Sequence, residues 1–194
     1  MKVKYFAAVA FIISFTLMPM PAVKLHSEPQ YFYRYFGQTP VIWKPGLPFC
    51  INFSNPPVHL NSMYKKKLFI EFKKLSTLAA IEGCKQANIE VAFGVRDKLS
   101  YLNGNTALAA TTPNYDVMDP RFIVGGLIQV DAKTFEKLDD RTRINLLLHE
   151  MGHILGLTHA SDGSLMVPII GDVKESKYPR DGILYLISRE RFLK

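Results

Sequence analysis

The sequence predicts an α/β (α+β) domain with a mixed sheet, and three observations predict it. Phe49 to Phe53 and Ile89 to Phe93 alternate apolar and other residues with period two, as half-buried strands do. Residues 62–81 and 140–155 repeat their apolar positions every three or four residues, as amphipathic helices do. A chain of 194 residues that is 48% hydrophobic and 21% charged can bury one compact core.

The elements follow in order. Lys2 and Lys4 precede an apolar run from Tyr5 to Met18 and the breaker-rich PMPAVK, the layout of a secretory signal, so residues 1–22 are expected to be removed after Ala22. An uncleaved anchor is the alternative, although the run falls short of the roughly 20 residues that span a bilayer. Residues 23–40, with YFYRYFGQTP, read as an arm or short pro-segment, and 41–194 as the main folded domain. A strand at Phe49 to Phe53 ends at Pro56 and Pro57. The helix from Ser62 to Ile81 is expected to stop at Gly83. ANIEVAFGV puts Ile89, Val91 and Phe93 on one strand face, a loop holds Asn103 to Asn105, TALAATT reads as a weaker strand, and LIQVD follows Gly125 and Gly126 as another. Asp139 or Asp140 can cap a helix with a stripe of Ile144, Leu147 or Leu148, Met151 and Leu155, ended by Gly156. A last helix is expected from about Asp181.

Charge and cysteines narrow the setting. The net charge of +7 has its densest source in Lys65 to Lys67, Lys73 and Lys74, which interleave with apolar residues as the solvated face of a helix; no nucleic-acid motif accompanies them. Cys50 and Cys84 are the only two cysteines. Outside the cytoplasm they would close one disulfide, or they stay as two buried thiols; neither has metal-ligand spacing.

The chemistry concentrates in HEMGHILGLTH, residues 149–159, which holds three of the five histidines. His149 and His153, four apart, project from one helix face and can share a cation. His159 lies out of that register, so the chain must turn after Leu155, and Gly156 can take the positive φ this needs. Three neutral imidazoles would leave a fourth tetrahedral position open for water, as in a catalytic zinc site. Glu150 follows the first ligand and can act as general base on that water, whose pKa zinc lowers to about 7. The pattern H-E-x-x-H-x-x-G-x-x-H arises by chance in on the order of one in 10^5 chains of this length.

HEMGHILGLTH followed by SLMVP resembles the metzincin metallopeptidases, in which a methionine turn lies beneath the metal; Met166 takes that position. The short gap from His159 to Met166 is most similar to the matrixins, the matrix metalloproteinase group (peptidase M10). ANIEVAFG, TALAATTPN and VGGLIQVDAKTF resemble strands of that catalytic domain, and DGILYLI the start of its final helix. The resemblance implies a zincin-like fold: a mixed twisted sheet, an active-site helix, a Met-turn and a C-terminal helix. It implies a zinc endopeptidase, which the N-terminal signal would make secreted, extracellular or periplasmic. Substrate would lie antiparallel to an edge strand near Ala107, Leu108, Ala109, Ala110 and Thr111. The residue after the cut, expected to be apolar, would enter a pocket walled by Val167, Pro168 and Ile169.

The departures limit what carries over. Ala160 follows the third histidine where matrixins have serine or threonine. The segment from Leu99 to Ala110 lacks the histidines of the family's structural zinc, and Leu127 stands where a calcium-linked aspartate is usual, so one catalytic zinc is expected and neither the second zinc nor the calcium. Tyr178 and Pro179 replace the paired aspartates before the last helix, and nothing resembles the latency motif PRCGxPD. The partner expected is a protein or peptide substrate, on which the chain acts as a monomer, with no nucleic acid, and with membrane contact only through an uncleaved signal. A zinc-binding interaction module of the same fold, without turnover, is the rival function.

Overall fold

A computed structural model of the chain describes residues 35–36, 39–94, 107–160, 163–168, 173–174 and 176–179. The signal segment, most of the 23–40 arm, the loop at Asn103 to Asn105 and the final helix expected from Asp181 lie outside them. Two short strands of the arm, β1 (Tyr35–Phe36) and β2 (Thr39–Pro40), pair with each other. The main sheet contains β3 (Ile42–Trp43), β4 (Phe49–Ser54), β5 (Ala80–Glu82), β6 (Ile89–Gly94), β7 (Ala109–Tyr115) and β8 (Phe122–Asp131). Its order is β3-β8-β6-β4-β5, and β8 also carries β7. Every pairing in this sheet is parallel except β7 on β8, so the expected mixed sheet is present. Helices α1 (Ser62–Ser76), α2 (Ala132–Phe135) and α3 (Asp140–Ile154) complete the described elements, and no helix among them is long and apolar enough to cross a membrane.

Period-two alternation locates β6 and the core it faces. Ile89, Val91 and Phe93 are buried, while Glu90 and Gly94 are exposed. Phe49, 1% exposed, links the sheet to α1: its ring centroid lies 4.8 Å from that of Trp43 and 4.6 Å from that of Phe72. Trp43 anchors this packing, and its indole N–H donates to the Leu47 carbonyl at 2.9 Å. The lysines of α1 lie on its outer side, with Lys66, Lys67, Lys73 and Lys74 exposed.

Three boundaries differ from expectation. The first helix stops at Ser76 rather than Ile81: Thr77 takes a left-handed C-cap with φ of 63°, and the Ser76 hydroxyl donates back to the Phe72 carbonyl at 2.7 Å. Helical spacing of apolar residues runs on past this point, but Ala80 to Glu82 instead pair in parallel with Phe49 to Ile51, covering an edge of β4. The weaker strand begins at Ala109, so Ala107 and Leu108 approach it without joining, and it extends to Tyr115. β8 starts at Phe122 and takes both glycines inside it. A Cβ on Gly126 would overlap the Ile154 side chain, so the absence of one lets α3 sit against the strand.

Of the two readings of the cysteines, the bonded one holds. Cys50 and Cys84 form a disulfide with a Cα–Cα distance of 6.0 Å across a separation of 34 residues, tying the turn after β5 to β4. Cys84→Ser is expected to cost about 3–4 kcal/mol through the freed loop entropy. An unchanged urea midpoint in that variant would contradict this assignment.

Candidate metal centre

Helix α3 begins at Asp139, whose carboxylate accepts from the Thr142 N–H at 2.9 Å, so of the two candidate caps this one serves. The predicted stripe of Ile144, Leu147, Leu148, Met151 and Leu155 is buried, and so is every residue from Arg143 to Gly152. The helix is enclosed on all sides, which a single amphipathic stripe does not anticipate. Buried Arg143 is accommodated because its guanidinium donates to the carbonyls of Phe135 and Glu136, at 3.0 and 2.6 Å, and to Asp140 at 3.1 Å.

The C-terminus of α3 brings the third histidine back. The Gly156 N–H bonds to the His153 carbonyl at 3.1 Å and the Leu157 N–H to the Gly152 carbonyl at 3.0 Å, the paired bonds of a Schellman turn, with Gly156 at φ of 99°. A Cβ at Gly156 would overlap the Val41 carbonyl oxygen. The turn places His159, exposed, with its ring centroid 5.2 Å from His149 and 5.0 Å from His153. One ligand atom from each of the three lies within 4.8 Å of the others.

The hydrogen bonds of the rings fix their tautomers. His149 Nδ1 meets the Leu165 carbonyl at 2.6 Å and His153 Nδ1 meets the Leu157 carbonyl at 2.8 Å. Carbonyls only accept, so each Nδ1 carries the hydrogen and each Nε2 presents a lone pair. Those two Nε2 atoms face each other at 3.1 Å. Two ligands of a tetrahedral cation at about 2.05 Å stand roughly 3.3 Å apart, so the pair fits a shared metal ion. Burial holds the His149 imidazole down to a pKa of about 4, keeping it in the neutral, ligating form; the charge of His159 adds to this and the Leu165 hydrogen bond opposes it.

Met166, expected in a methionine turn, packs against the helix that carries the cluster. Met166 is fully buried, its carbonyl accepts from the Ala160 N–H at 2.8 Å, and a Cβ on Gly152 would come within 2.5 Å of its sulfur. A glycine inside α3 thus lets the thioether pack against helix backbone. Tyr178 closes the same face, donating its buried hydroxyl to the Leu148 carbonyl at 2.5 Å. Sequence reading assigns Gly152 no role and marks Tyr178 only as a departure from the paired aspartates, so neither contact is foreseen.

Glu150 is 4% exposed, and the Thr111 hydroxyl of β7 donates to its Oε2 at 2.6 Å. Burial pushes the carboxyl up to about 7 against the lowering effect of that hydrogen bond. A divalent cation at the neighbouring imidazoles would draw it down again. Thr111 lies on the same strand face as Ala109, but nothing in the sequence says which helix residue faces it. Of the residues expected to wall a substrate pocket, Val167 is buried and Pro168 exposed, both directly after the methionine; Ile169 lies outside the described residues. Ala109 is buried in β7, and Ala107, Leu108 and Ala110 are half-buried.

Comparison with known proteins gives one family. The chain matches Peptidase M10, Matrixin, over residues 62–183, more than half of its length and including all three histidines. No curated protein matches it.

Proposed function

Because the chain belongs to the matrixin family, we propose that it is a secreted zinc-dependent endopeptidase in which His149, His153 and His159 hold one catalytic ion and Glu150 is the general base. The observation that carries this reading is the facing pair of Nε2 atoms at 3.1 Å, with both Nδ1 hydrogens committed to carbonyls. Zinc bound at these rings supplies Lewis acidity, which acidifies water and polarises a peptide carbonyl. Glu150 takes the proton of the attacking water and hands it to the departing amine. Substrate adds as an antiparallel strand beside β7, at Ala107 to Ala110 and Thr111. Its side chain after the cut, apolar by preference, enters the pocket of Val167, Pro168 and Ile169, and Met166 packs below the site without ligating. Residues 1–22 direct export, 23–40 form an arm or short pro-segment and 41–194 the catalytic domain, which acts as a monomer outside the cytoplasm.

The test uses protein from Val23 onward, with zinc measured by elemental analysis beside cleavage of a mixed-sequence peptide library. One zinc per chain with cuts clustered before apolar residues is the expected result. One zinc with no cleavage would replace the peptidase by a zinc-binding interaction module. Zinc should also stabilise the fold: at a free concentration about 100 times Kd it adds about 2.7 kcal/mol, or roughly 5–10 °C in Tm for a chain of this size. A Tm that chelation leaves unmoved would contradict the site.

A further inference from the structure

Glu150 has one side-chain partner among the described residues, Thr111, and the bond crosses from the helix to the strand that would receive substrate. The hydroxyl is well anchored. Thr111 pairs with Ile128 of β8, which is fully buried, and its β-branched side chain has restricted χ1 freedom. Its oxygen lies 2.6 Å from Glu150 Oε2 and 3.2 Å from the Glu150 backbone carbonyl, so the one hydroxyl hydrogen is shared between two acceptors of the same residue, with the carboxylate the closer. A carboxylate carrier of protons needs its orientation fixed and one oxygen free, and a swivelling side chain supplies neither.

We infer that Thr111 is a positioning residue: its hydroxyl holds Oε2 of Glu150 and leaves Oε1 as the oxygen that accepts and releases the proton. The inference rests on the peptidase reading and deepens it. Because Thr111 belongs to β7, a peptide that adds to this strand also steadies the element that aligns the base. Binding and alignment then share one strand.

The experiment compares wild type, Thr111→Val, Thr111→Ser and Glu150→Ala, with kcat and KM measured separately on one cleaved peptide, together with zinc content and Tm. Thr111→Val is expected to lower kcat by about 10- to 100-fold, the cost of a misaligned catalytic group, with KM and zinc content unchanged. Thr111→Ser restores the hydroxyl and is expected to stay within about threefold of wild type in kcat, as a retained hydrogen bond predicts. A kcat spared by Thr111→Val, a loss confined to KM, or a serine variant as slow as the valine one overturns the positioning role. Hydrolysis abolished by Glu150→Ala but spared by Thr111→Val overturns this inference alone. A wild type that cleaves nothing overturns the peptidase reading and the inference with it.

Discussion

Replacing Glu150 by alanine is expected to lower kcat by about 10^2- to 10^4-fold, the usual worth of a positioned general base, while zinc content stays at that of the wild type. The two halves of this result come from different atoms. The imidazoles proposed to ligate zinc are oriented by the Leu165 and Leu157 carbonyls, and neither bond involves the Glu150 side chain. The proton is carried by the Glu150 carboxylate, which alanine removes. Unchanged hydrolysis in Glu150→Ala would refute the mechanism, and loss of zinc would show that the carboxylate holds the site together instead. The same variant has a signature in the metal-free protein. With its pKa raised from 4.5 to about 7, the Glu150 carboxyl binds its proton more tightly in the folded state. Its contribution to stability is therefore complete below the unfolded pKa and lost as pH rises through the folded one. Relative to wild type, metal-free Glu150→Ala is expected to gain in Tm between pH 5 and pH 8, and a gap that widens the other way would contradict the burial argument.

Gly156→Val is expected to cost about 3–5 kcal/mol, at the severe end of single substitutions, and to weaken zinc binding with it. Gly156 has φ of 99°, which a β-branched residue resists, and the new Cβ would overlap the Val41 carbonyl. Relief requires α3 to pull away from the chain entering β3, and the turn that delivers His159 moves with it. An unfolding free energy from urea titration within about 0.5 kcal/mol of wild type, the range of an inert surface change, would show that the turn relaxes at little cost. Gly156→Ala keeps the φ strain with a smaller side chain and should fall between.

What the sequence disclosed follows from which contacts are local. The three histidines, Glu150 and Gly156 lie within eleven residues, so helix geometry and one glycine were enough to bring them together. Asp139 as cap and the alternation of β6 are local in the same sense. The end of α1 was misread because its apolar spacing outlasts the helix, and what converts Ala80 to Glu82 into strand is the edge of β4, about thirty residues earlier. Gly125 and Gly126 looked like a boundary and proved to be the middle of β8, since their purpose is to admit Asn88 and Ile154 from elsewhere. Thr111, Gly152 and Tyr178 support the site through partners 39, 14 and 30 residues away. No periodicity records such pairs.

The placement of β8 bears on when the molecule becomes competent during its synthesis. β6 can pair with β4 as soon as it is made, but β3 meets its partner, and β6 its second one, only when residues 122–131 have emerged. The histidines follow, then the methionine turn at Met166, and last Lys177 and Tyr178, whose bonds to Leu165 and Leu148 close the underside of the helix. A chain built from its N-terminus therefore acquires the metal centre near the end of its described length. A nascent chain carries the scaffold well before it carries the cutting edge.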